Sequence, residues 1–133
     1  VFWLGKNTLF LGPMKPIMRW LGGIPVFRTE PADLVDQIVD FLHQQENAVI
    51  GITPEGTRSR VEKWKTGFYR IAHALDLPIV LAYLDYKQKV GGIGPIIYPS
   101  GDFEADMAKI REFYKTVEGK YPDTGSFVGD AEY

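Results

Sequence analysis

The sequence predicts an α/β fold, a layered αβα domain built on a mainly parallel sheet. Three observations predict it. Two short, fully apolar runs, AVIGI (48–52) and PIVLAYLDY (78–86), have the composition of strands covered on both faces. Segments with apolar residues every three or four positions alternate with such runs. Gly and Pro punctuate the boundaries. Strands and helices in alternation favour parallel pairing through helical crossovers.

In chain order, VFWLG (1–5) is an apolar, aromatic strand, and NTLFLGP is a loop. PMKPIMRWLG (13–22) is a short helix closed by Gly22 and Gly23, and IPVF (24–27) is a short strand ending at Arg28. Thr29 and Glu30 stand at the cap of a helix running to Gln45, with Pro31 in the first turn, where its missing N–H costs nothing. Leu34, Val35, Ile38, Val39 and Leu42 give that helix one buried face. Asp33, Asp36 and Asp40 belong to its solvated side rather than to a catalytic group. After AVIGI come a helix at 67–77, the strand at 78–86, a glycine-rich turn KQKVGGIG and a short strand PIIYP (95–99). The helix at 102–121 turns Phe103, Met107, Ile110, Phe113, Tyr114 and Val117 inward. The expected organisation is one domain over 1–121 and a tail over 122–133.

The totals narrow the function. A chain of 133 residues with 45% hydrophobic content suffices for one globular domain. A formal net charge of −2 argues against a dedicated nucleic-acid binder. Without cysteine there is no disulfide and no thiolate metal site, which suits a reducing compartment. No apolar run reaches the ~18 residues of a membrane span. The chain opens Val1-Phe2-Trp3-Leu4-Gly5, apolar from its first residue, and is expected to be the C-terminal part of a longer protein.

The segment TPEGTRSR (53–60) is the part least explained by packing. It leaves a predicted strand end, where ligands collect in parallel sheets. Arg58, like Arg28 after the previous strand, can offer a planar fork of donors to a phosphate or carboxylate. Gly56 admits a ligand close to the backbone, and Thr57 adds a hydroxyl. Lys6 and Lys65 enlarge the positive field. Between Arg58 and Arg70 there are five basic residues against the single acid Glu62. Pro54 and Gly56 serve turn geometry equally well, and Arg58 can pair with Glu55. Chemistry alone therefore leaves a turn and an anion site both standing. A P-loop is a poor match, because no Gly-Lys-Ser/Thr follows.

GGIPVFR (22–28), TPEGTRS (53–59) and LPIVLAY (77–83), in that order, resemble sequence blocks of the glycerolipid acyltransferases, the 1-acylglycerol-3-phosphate acyltransferase family and its relatives. GKNTLF and KWKTGFYRIA resemble the family's segments before the second block and after the third. The similarity covers residues 1 to about 118. It implies an α/β fold and transfer of an acyl group from an acyl-CoA or acyl carrier protein thioester to a hydroxyl of a glycerophosphate or lysophospholipid. No bound cofactor or metal is implied. Arg28 and Arg58 would hold the acceptor phosphate. Glu55, Gly56 and Thr57 would shape the pocket, Gly23 and Pro54 would set backbone geometry, and Pro78 would start a supporting strand. Thr53, Leu81 and Phe27 depart from the family pattern, which bears on the acceptor rather than on the reaction type.

The family's catalytic His and Asp, with four residues between them, have no counterpart here. Five residues after His43 stands Ala48, and five after His73 stands Pro78. His43 is expected at the surface and His73 in a structural role, so no catalytic residue is assigned within the chain. The alternative is a non-catalytic module for anionic lipid or phosphate. The lipid acceptor implies a cytoplasmic location with peripheral membrane contact. Phe2, Trp3, Leu9, Phe10, Leu11, Met14, Ile17, Met18 and Trp20 make an apolar N-terminal third, mostly core, of which an exposed part with Lys15 and Arg19 can rest at an interface.

Overall fold

The computed structural model describes residues 1–26, 31–45, 47–55 and 64–120. The chain divides into two compact units, Val1–Thr53 and Pro54–Tyr133.

The first unit holds β1 (Phe2–Lys6), two 3-10 turns (Asn7–Phe10 and Gly12–Met14), α1 (Lys15–Trp20), β2 (Gly23–Val26), α2 (Pro31–His43) and β3 (Ile50–Gly51). Each connection between strands contains a helix, so the chain can return to run parallel. The resulting sheet has the order β2-β1-β3 and is parallel throughout. Trp3 stands opposite Gly23, and Lys6 opposite Val26. β3 pairs only through Ile50 and Gly51, shorter than the expected 48–52. Val35, Ile38 and Leu42 of α2 are buried as their spacing predicts. Phe41, on the same helix, meets Phe2 edge to face at 5.2 Å.

The second unit holds α3 (Gly67–Ala74), β4 (Ile79–Asp85), β5 (Val90–Ile97) and α4 (Phe103–Tyr114). Its core is Tyr69, Leu81, Ile97, Phe103, Met107 and Ile110, with Trp64, Phe68, Ile79, Phe113 and Tyr114 packed against it. Met107 and Ile110 are fully buried, each a contribution of about 1.5–3 kcal/mol from burial. Asp102 caps α4 by accepting the N–H of Ala105 at 3.0 Å. The helix ends at Tyr114, short of the expected 121, and Tyr114 Oη donates to the carbonyl of Ala82 on β4 at 2.8 Å.

The parallel sheet is as expected, and three details of the remaining strands differ. β4 pairs antiparallel with β5, so among the described residues only β1, β2 and β3 form the parallel sheet. Burial along β4 alternates, with Leu81 and Asp85 inward and Val80 and Leu84 exposed, rather than being covered on both faces. The glycine-rich segment also belongs to β5, which starts at Val90 and not at 95. The physical reason lies in the neighbouring side chains. A Cβ on Gly92 would sit 3.4 Å from the ring of Tyr83 opposite, and one on Gly94 would run into the ring of Phe113. Gly94 makes room for an aromatic ring in a strand, instead of making a turn, whereas a Cβ at Gly92 would only touch Tyr83.

Candidate functional site

The predicted site residues fall in both units. Lys6 closes β1 in register with Val26, the last residue of β2, so both strands end at the same carboxyl edge of the parallel sheet. That edge is where such sheets collect ligands. Arg28 follows Val26 by two residues in the chain and lies outside the described residues.

Gly23 stands at the other end of β2, opposite Trp3. Three residues of strand, about 10 Å, separate it from Val26. A Cβ there would meet the Phe10 ring at 2.8 Å and the Met18 carbonyl at 2.8 Å. Gly5, on β1, faces the same ring at 2.8 Å. The two glycines therefore admit Phe10, which is buried, under the strands. Gly22 turns the chain from α1 into β2 with a φ of +80°, a conformation that glycine adopts without strain.

The Pro-Glu-Gly segment starts the second unit. Pro54 and Glu55 form a turn and are half-buried. The Lys65 N–H donates to the Pro54 carbonyl at 2.9 Å, which fixes the two residues beside each other. Gly56, Thr57 and Arg58 stand between them in the sequence and lie outside the described residues. Trp64, just before Lys65, meets Tyr114 at 5.7 Å and Phe68 at 6.3 Å, both edge to face. α3 begins three residues beyond, at Gly67.

The second unit also holds a buried carboxylate that sequence reasoning missed. Asp106 accepts from Tyr69 Oη at 3.0 Å, Ser100 N–H at 2.6 Å, Ser100 Oγ at 2.9 Å and Lys109 Nζ at 2.9 Å. Burial would raise its pKa, but the lysine, the two serine donors and the tyrosine outweigh burial and hold it at about 2. The network joins α3, the loop after β5 and α4. Its burial was open to reading, since Asp106 falls on the same helical face as Phe103 and Ile110, but its partners were not.

The reading also missed a groove of about 430 Å³ in the first unit. Its walls include Phe2, Ile24, Leu34, Ile38 and Phe41, and Arg19 is the one charged residue among those lining it. Gly22 and Gly23, at the start of β2, also line it.

Neither histidine is placed as a general base. His43 and His73 are both exposed, and His73 stacks on Tyr69 at 6.1 Å. No group of three metal-ligating side chains occurs among the described residues, and none of their helices is long and apolar enough to cross a membrane.

The sequence profile of the acyltransferase family matches residues 1–84, which include both arginine blocks. The chain belongs to the acyltransferase family. No curated relative and no solved structure matched it.

Proposed function

We propose that the chain forms the acceptor-binding part of an acyltransferase of the 1-acylglycerol-3-phosphate type. In this reading an acyl group passes from an acyl-CoA or acyl carrier protein thioester to a hydroxyl of a glycerophosphate or lysophospholipid, as in phospholipid biosynthesis. Arg28 and Arg58 grip the acceptor phosphate, and Lys6 adds positive field at the carboxyl edge of the sheet. Glu55, Gly56 and Thr57 shape the pocket. The single observation that carries the reading is the family match over residues 1–84, with both arginines inside it. The work is done at the cytoplasmic face of a membrane, without a bound metal or cofactor.

A second reading, a non-catalytic phosphate or anionic-lipid module, is favoured by one fact. Neither His43 nor His73 has an aspartate five residues on. The base–orienter pair that activates an acceptor hydroxyl is therefore not within these residues. The reading frame upstream of Val1 separates the two. A His-x4-Asp there supports the enzyme, and a frame without one supports the module.

The phosphate pocket is tested by titrating the chain with glycerol 3-phosphate and with glycerol, followed by amide shifts in NMR. Saturable binding of the phosphate-bearing compound alone is expected. Equal response to both compounds, or to neither, contradicts the pocket.

A further inference from the structure

We propose that the outward face of the β4–β5 hairpin is a docking surface for the chain's own residues 121–133. The inference concerns the second unit alone and uses no residue of the phosphate pocket.

The first observation is a sheet face of inverted polarity. When one face of an antiparallel sheet covers a core, the other meets water and carries polar side chains. Here the register sets Val80 opposite Ile96, Ala82 opposite Ile93 and Leu84 opposite Gly91. All six residues are exposed, Leu84 by 66% and Ile93 by 71%, and none has a polar side chain. Leu81 and Ile97, on the inner face, belong to the core. A Cβ on Gly91 would stand 2.7 Å from Leu84 Cδ2, so the glycine lets Leu84 lean across the neighbouring strand. A continuous exposed apolar face marks an interaction surface.

The second observation is where the chain is delivered. Beyond α4 the Glu118 carbonyl accepts the Tyr86 N–H at 2.8 Å, and the Glu118 carboxylate meets Lys87 Nζ at 3.2 Å. The chain is thereby held at the turn end of the hairpin just before residue 121. The face is seven residues of β4 long and two strands wide, about 23 Å by about 10 Å. That is the footprint of one segment of chain. Residues 121–133 span about 40 Å when extended, enough to round the edge of the hairpin and run its length.

The third observation is composition. Residues 121–133 contain Phe127 and Val128 side by side, with Asp123, Asp130 and Glu132 and no Lys or Arg. The hairpin turn at 86–89 carries Lys87 and Lys89, both exposed. An acidic segment with an apolar pair at its middle therefore complements an apolar face that ends at two lysines. The same face on a second copy would bring those lysines no carboxylate.

The test uses the full 133-residue chain, which has no cysteine of its own. The thiol introduced by Ala82→Cys is expected to react slowly with a maleimide. Adding Phe127→Ser with Val128→Ser is expected to raise that rate about 10- to 100-fold, as for the loss of one buried Phe side chain, with far-ultraviolet circular dichroism unchanged. In a separate chain, a nitroxide on Ser126→Cys is expected to broaden the amide signals of Val80 and Ile93 equally at high and low protein concentration. Absent broadening, or a thiol rate unchanged by the Phe127 and Val128 substitutions, overturns the proposal. A thiol that stays slow despite those substitutions assigns the cover to the first unit. One slow only where light scattering shows a dimer assigns it to a second copy, which overturns the proposal equally.

Discussion

The Lys65 N–H and the Pro54 carbonyl meet at 2.9 Å, on either side of the sequence Glu55-Gly56-Thr57-Arg58. The bond is made by backbone, so side-chain substitutions leave it in place and proline removes it. Lys65→Pro is expected to lose about 1–3 kcal/mol in urea unfolding and to weaken glycerol 3-phosphate binding, whereas Lys65→Ala keeps most of both. Equal behaviour of the two variants in the NMR titration would mean that the Pro54–Lys65 bond does not support the site.

Gly23 is explained by the ring it admits. Gly23→Ala brings a methyl to 2.8 Å from both Phe10 and the Met18 carbonyl, and is expected to destabilise by about 1–3 kcal/mol. Phe10→Leu in the same chain should recover part of that loss, measured as coupling in a double-mutant cycle. Additive effects would show that the ring and the glycine do not compete for space.

Asp106 gives the second unit a specific acid sensitivity. Its carboxyl is held at about 2 against an ordinary 3.8, so folding is favoured while it is ionised. That contribution is complete above the ordinary value and is lost as pH falls from about 4 to about 2. Asp85, lowered chiefly by the N–H of Gln88, acts in the same direction. Asp106→Asn should therefore be less stable at neutral pH and show a flatter loss between pH 4 and 2, read from thermal midpoints across that range. A parallel curve, merely displaced, would contradict the assignment.

Gly94 makes the same argument on β5. Gly94→Ala drives a methyl into the Phe113 ring and is expected to cost about 1–3 kcal/mol, with partial relief from Phe113→Leu. Were the segment a turn, as glycine content alone suggests, alanine at 94 would be tolerated and the thermal midpoint unchanged.

Periodicity made the helices legible. Val35, Ile38 and Leu42 are buried as their spacing required, and so are Phe103, Met107 and Ile110. Strand pairing was less legible, because an apolar run such as 78–86 fits a covered parallel strand and a half-exposed hairpin strand equally. Glycine in 91–94 reads as a turn until the Tyr83 and Phe113 rings are seen beside it. Of the site, the two arginine blocks were visible because they lie at strand ends in a recognisable order. The Asp106 network was hidden because an aspartate on a helix face gives no sign that Tyr69 and Ser100, far off in sequence, converge on it. Lys6 and Val26 share an edge only once the register of β1 and β2 is known.

The central claim is that two arginines hold an acceptor phosphate. Its most direct measurement is the affinity of Arg28→Ala and Arg58→Ala for glycerol 3-phosphate, with folding checked by circular dichroism. Each charged hydrogen-bonding group removed should weaken binding about 10- to 100-fold, with glycerol itself still unbound. Unchanged affinity for glycerol 3-phosphate in either folded variant would contradict the account.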